Sequence, residues 1–132
     1  MIPELPPLEL GHARTPLRRQ LVDAVLRGDK TGTAGLYGDE PLPQAGDRFL
    51  LLDFDDRPVA VVETTEVQVL RADEVDLQFA RDEGEDFETV ADWREAHERF
   101  WSDREIRDDT LIVAERFRLI ERIEFPADGD RA

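Results

Sequence analysis

The chain has 132 residues, 40% of them apolar, a formal net charge of −15 and no cysteine. That length supports one core of ordinary size and not two. The lack of cysteine excludes a disulfide framework, a thiolate zinc site and a cysteine nucleophile, so with only His12 and His97 as imidazoles any metal site would be mostly carboxylate; no metal and no cofactor is expected.

The opening MIPELPPLELG is acidic and proline-rich, which is not the pattern of a secretory leader, and no apolar run nears the roughly 18 residues of a membrane span. One domain, residues 1–132 with a core over about 15–125, is therefore expected, cytoplasmic and without a membrane partner. RTPLRRQLVDAVLRG predicts a helix: Thr15 is a good N-cap, Pro16 suits the first turn, Leu17, Leu21 and Val25 form a stripe, and Gly28 stops it. KTGTAGLY, with two glycines and two threonines, suits an irregular strand or a ligand-hugging loop. DRFLLLDF, DDRP and VAVVETTEVQVL form a β-hairpin around an Asp-rich turn. In its second strand the alternation places Glu63 on one face with Val59, Val61, Val67 and Val69. Between residues 73 and 109 a short helix over Asp73–Asp82, a break at Gly84 and a second helix from about Thr89 are expected, the latter with Trp93, Ala96, His97, Phe100 and Trp101 on one face. TLIVAERFRLIERIEF is a further strand, with Glu115 amid Leu111, Val113, Phe117 and Leu119; PADGDRA is expected to fray. Strands with few, long connections and flanking helices fit an α+β domain around a small curled sheet or barrel.

The charge is uneven. Residues 1–36 hold Arg14, Arg18, Arg19, Arg27 and Lys30 against Glu4, Glu9, Asp23 and Asp29, a balance of +1, whereas residues 73–109 hold fifteen acids against five arginines, a balance of −10. Such a body repels a long polyphosphate, which is bound mainly through many Lys and Arg contacts. A small neutral ligand is little affected.

Lys30 is the only lysine among 17 basic residues. Either it decorates a helix C-terminus, where the dipole favours a cation, or it is kept because an ammonium can lose its proton and act as base or nucleophile, which a guanidinium cannot do. Thr31 and Thr33 are either strand residues or hydroxyls poised beside the lysine, and Gly28, Gly32 and Gly35 would let backbone approach a ligand. The G-x-x-x-x-G-K-[ST] phosphate loop is absent. Glu63 and Glu115, placed on apolar faces, either pair with an arginine such as Arg116 or Arg48 or line a pocket. Trp93 and His97 are either core or a stacking platform.

GDKTGT, Gly28 to Thr33, resembles the G-x-K-x-x-T motif of ASCH domains, a PUA-like β-barrel family, and AGDRFLLLD, PVAVVETTEV, FARDEGED, WREAHERFW and AERFRLIE resemble its bacterial subfamily in the same order. The resemblance implies a small curled barrel flanked by helices, with the lysine motif forming one wall of a cleft. It also implies RNA-related roles, and in one small branch amidohydrolase activity on N(4)-acetylcytidine through a Lys, a Thr and a Glu. Carried over, those are Lys30, Thr33 and Glu83. From the residues themselves, Gly28, Thr31, Gly32, Glu63, Glu115, Arg116 and Trp93 are the candidate ligand contacts. The TAG that follows the motif and an additional Trp-rich helix depart from that branch. Two alternatives stay open: a module binding short single-stranded RNA or a modified nucleotide, with Arg18, Arg19 and Arg27 on phosphate, and a metal-dependent ribonuclease.

Overall fold

A computed structural model of the chain describes residues 3–123. The first helix, α1 (Pro16–Arg27), begins where Thr15 accepts a hydrogen bond from the Arg18 amide and Pro16 fills the first position; it ends at Gly28, whose φ of 88° lets the chain turn off the helix. Leu21, Val22 and Val25 are buried on one face. They pack on Leu51, Ala60, Val62 and Phe117 of the sheet, forming one of two apolar clusters.

The sheet has five strands in the order β1-β3-β4-β5-β2. These are β1 (Pro7–Leu8), β2 (Gly32–Leu36), β3 (Arg48–Leu52), β4 (Pro58–Arg71) and β5 (Leu111–Arg122). All pairs are antiparallel except β1 on β3. The expected hairpin is β3–β4, and its turn is held by Asp53 Oδ1, which accepts from the amides of Asp55 and Arg57. The two edge strands are not hydrogen-bonded to each other, yet Leu8 of β1 and Thr33 to Leu36 of β2 line one shared cavity. The sheet is thus curled like a barrel and left open along one seam.

After β4 come a 3-10 turn (Ala72–Glu74), α2 (Leu77–Asp82) and α3 (Val90–Phe100). The single helix expected over Asp73–Asp82 is split because Asp76 caps a fresh helix, its carboxylate accepting from the Phe79 amide. Phe79, Ala80, Trp93 and Trp101 pack with Ile112 and Ala114 in the second apolar cluster. PADGDRA falls outside the described residues, and no described helix is long and apolar enough to cross a membrane.

Strand parity differs from expectation at one important place. Alternation holds from Ala60 to Thr64, with Ala60, Val62 and Thr64 buried on one face and Glu63 on the other with Val61, but the shift at Thr64/Glu66 parts Glu63 from Val67 and Val69. There it is hydrogen-bonded by Arg48 (2.9 Å) and Arg118 (3.0 Å), which hold its carboxyl below the usual range. Glu63 lines neither cavity and is a surface ion-pair residue.

Candidate functional site

Lys30 leaves the end of α1 with its amide still bonded to the Ala24 carbonyl, and the next amide, Thr31, donates to Asp82 O at 2.7 Å. The segment is thereby pinned between α1 and the end of α2. Glu83 caps α2, and Gly84 follows at φ 71°. A Cβ on Gly84 would lie 2.8 Å from both Cα and Cβ of Lys30, so only glycine lets the two segments meet this closely.

The Lys30 side chain is buried, and its Nζ donates to Gly32 O at 2.8 Å and Glu83 O at 3.1 Å. The Glu83 Oε1 atom stands 3.8 Å away. Burial pushes the amine below its ordinary value, against the opposing charges of Glu83 and Glu85. A neutral amine has two N–H bonds, enough for both carbonyls, and a lone pair left to accept a proton.

Glu83 is equally buried and fully engaged. Its Oε2 accepts from the Trp93 indole N–H and faces His97 Nε2 at 3.4 Å. Trp93 and His97 are four residues apart on α3, hence on one face, and their rings stack at 4.2 Å. His97 Nδ1 lies 2.8 Å from the Trp93 carbonyl, which can only accept, so Nδ1 carries a proton and Nε2 is left facing a carboxylate. Burial opposes charge on this imidazole, but the bond to Glu83 and its negative charge outweigh burial and raise the pKa. In Glu83, burial would raise the carboxyl; His97 and Lys30 outweigh it and hold the group low. Glu85, which the charges of Lys30 and His97 offset only in part, is raised mainly by burial.

These groups open onto a cleft of about 490 Å³ lined by Lys30, Thr33, Glu83, Glu85 and His97, with Leu17 and Leu21 of α1 opposite Ala96 and Phe100 of α3. Thr33 also lines a second cavity of about 440 Å³, in which Glu115 stands. Glu83, Glu85 and His97 each place a donor atom within 4.8 Å of the others, so together they form a candidate cation site beside the lysine.

The structure brings Lys30, Thr33 and Glu83 to one cleft and Glu115 to its neighbour. It does not bring the other expected contacts. Trp93 is fully buried and serves as a donor to Glu83, so it offers no face to a base. Arg116 pairs with Asp82 and Glu66 and covers the Phe79 ring. Gly28, Thr31 and Gly32 shape the backbone and line neither cavity, although the Gly32 carbonyl holds Lys30. Arg18, expected on phosphate, is completely buried. Its guanidinium donates to the Leu10, Gly11 and Asp53 carbonyls and to Asp56. Sequence reasoning missed Glu85 and the ionic role of His97; the signal available was the carboxylate two residues beyond Glu83.

A curled mixed sheet with a buried lysine in the wall of its cleft fits a PUA-like α+β protein. The chain belongs to the ASCH domain family, whose model matches residues 11–121. It is similar to the solved ASCH domain of Lactobacillus crispatus JV V101, at 31% identity over 76% of this chain and 70% of that one, with a TM-score of 0.69. It is similar in fold to protein EF3133 of Enterococcus faecalis V583, at 24% identity over 100% of this chain and 83% of that one, with a TM-score of 0.79. No match was found among curated proteins.

Proposed function

We propose that the protein hydrolyses the amide of a small N-acylated, cytidine-like nucleoside. The observation that carries this reading is a buried, pKa-lowered Lys30 that shares a nucleoside-sized cleft with the hydroxyl-bearing Thr33. Lys30 Nζ takes the Thr33 Oγ proton as Oγ attacks the acyl carbon; the resulting ammonium returns that proton to the leaving amine as the C–N bond breaks. Water then cleaves the acyl-threonine ester with Lys30 again as base. Glu83, the carboxylate that the resemblance implies, is held low chiefly by its bond to and the charge of His97, which suits it to position the amine rather than to donate a proton. The acidic surface and the burial of Arg18 and Trp93 favour a small substrate over an RNA strand.

The test is chromatographic detection of cytidine from N(4)-acetylcytidine. Wild type is expected to turn over, while Lys30→Ala, Lys30→Arg and Thr33→Val lose at least about 100-fold in kcat/KM. No turnover by wild type, or Lys30→Arg within a few-fold of it, overturns the reading. The Glu83, Glu85 and His97 cluster supports a second reading, a divalent cation aiding phosphodiester cleavage. RNA cleavage abolished by chelator and restored by Mn²⁺ would establish it.

A further inference from the structure

Two carboxylates are buried among the described residues, Glu83 and Glu115. Glu83 has Lys30 and His97 beside it. Even the partly covered Asp53, Glu63 and Asp82 each have an arginine within 3.3 Å. Glu115 has no cation among the described residues. Its Oε2 accepts from the Thr64 hydroxyl at 2.6 Å, and its Oε1 receives no donor from the described residues.

Register explains where this carboxylate points. On β5, Ile112 and Ala114 enter an apolar cluster, while Glu115, paired across from Thr33 of β2, stands in the second cavity. Glu9, Asp39 and Glu40 also line that cavity and no basic residue does. Its remaining walls include Leu36, Pro43, Trp101 and Val113. Burial, with Asp47 and Glu40 nearby, raises the Glu115 carboxyl, and the Thr64 bond offsets this only in part. An ionised carboxylate without a cation is costly to bury, whereas a ligand cation beside it removes the cost and gains a charge-assisted hydrogen bond.

We infer that the second cavity is a binding site for an ammonium or amidinium group carried on a small apolar body, with Glu115 as counter-ion. Thr64 positions the carboxylate, the acidic rim repels anions, and the apolar walls take the body of the ligand. The site rests on the geometry of this cavity alone and stands whether or not amide hydrolysis is found.

The test is NMR and calorimetric titration of the full chain with benzylammonium, benzyl alcohol and benzoate, three probes of one shape and different charge. Benzylammonium is expected to bind about tenfold tighter than the alcohol and benzoate not at all. Amide shifts should gather at Gly35, Leu36 and Val113. Glu115→Gln, which keeps volume and an acceptor for Thr64, should abolish the preference without lowering the unfolding temperature. Because the probe series and the shift map are read on wild type, they decide the matter even if the variant folds poorly. Equal affinity for ammonium and alcohol, shifts centred on Gly84, Glu85 and His97, or a preference intact in a folded Glu115→Gln would overturn the inference.

Discussion

Arg18 and Lys30 are both buried cations, one in the first turn of α1 and one just past its end, and they do different things. Arg18 spreads its guanidinium over three carbonyls and Asp56, tying the segment before α1 and the β3–β4 turn to the helix. Four of its five N–H groups are hydrogen-bonded, and Glu9 Oε1 stands 3.8 Å from Nη2. Lys30 has two carbonyls and a carboxylate at 3.8 Å, and it opens onto a cleft. Burial of a cation therefore does not mark a functional site; incomplete satisfaction at the wall of a cavity does.

The largest predicted effect separates the two cations. Arg18→Ala strands three carbonyls and an acid and should cost about 3–5 kcal/mol in denaturant unfolding. Lys30→Met, which keeps the volume and leaves Glu83 its His97 and Trp93 partners but strands the Gly32 and Glu83 carbonyls, should cost about 1–3 kcal/mol, less than Arg18→Ala, while losing activity. Equal losses would erase the distinction. The two glycines flanking Lys30 sharpen it: both have positive φ, but a Cβ on Gly28 meets nothing within 4 Å, whereas one on Gly84 strikes Lys30. Gly28→Ala should cost about 1 kcal/mol from backbone strain alone and Gly84→Ala roughly twice that, with activity lost only in the second. Trp93→Phe removes the indole donor from Glu83 and should cost about 1–2 kcal/mol, read by thermal unfolding.

The smallest effect is a pH dependence. The folded pKa of His97 is raised from 6.5, so its contribution is fully present below 6.5 and is lost as pH rises through the folded value. Wild type should exceed His97→Asn in unfolding free energy near pH 6, and the gap should narrow on the alkaline side. A gap that widens with pH would show that His97 is not the cationic partner of Glu83.

Much of the fold was legible because its signals are local. Thr15, Pro16 and Gly28 delimit α1, Thr89 caps α3, Gly84 breaks the helical region, and the Asp-rich turn closes a hairpin. The two-residue β1 carries no pattern of its own; its Leu50 and Leu51 partners on β3 create it. Glu63 was misplaced because alternation does not say which face of a strand meets the arginines of its neighbours, nor foresee the shift at Thr64/Glu66 that parts it from Val67 and Val69. In the site, the rarity of lysine drew attention to Lys30, yet rarity says nothing of the 14 positions separating Glu83 from His97. Nor did composition show that Arg18, one arginine among many, would be buried; a long side chain's burial depends on carbonyls supplied by distant segments.

The central claim is that Lys30 is held in a desolvated site with its amine available as a base. A chain with one lysine makes this directly measurable: ¹³Cε-lysine labelling gives a single side-chain resonance to follow against pH. A midpoint clearly below 10.5 is predicted, moving upward in a variant such as Leu21→Ser that admits water to the cleft. A midpoint at or above 10.5 would mean that Glu83 dominates burial, leaving Lys30 a structural ammonium and removing the base from the proposed reaction.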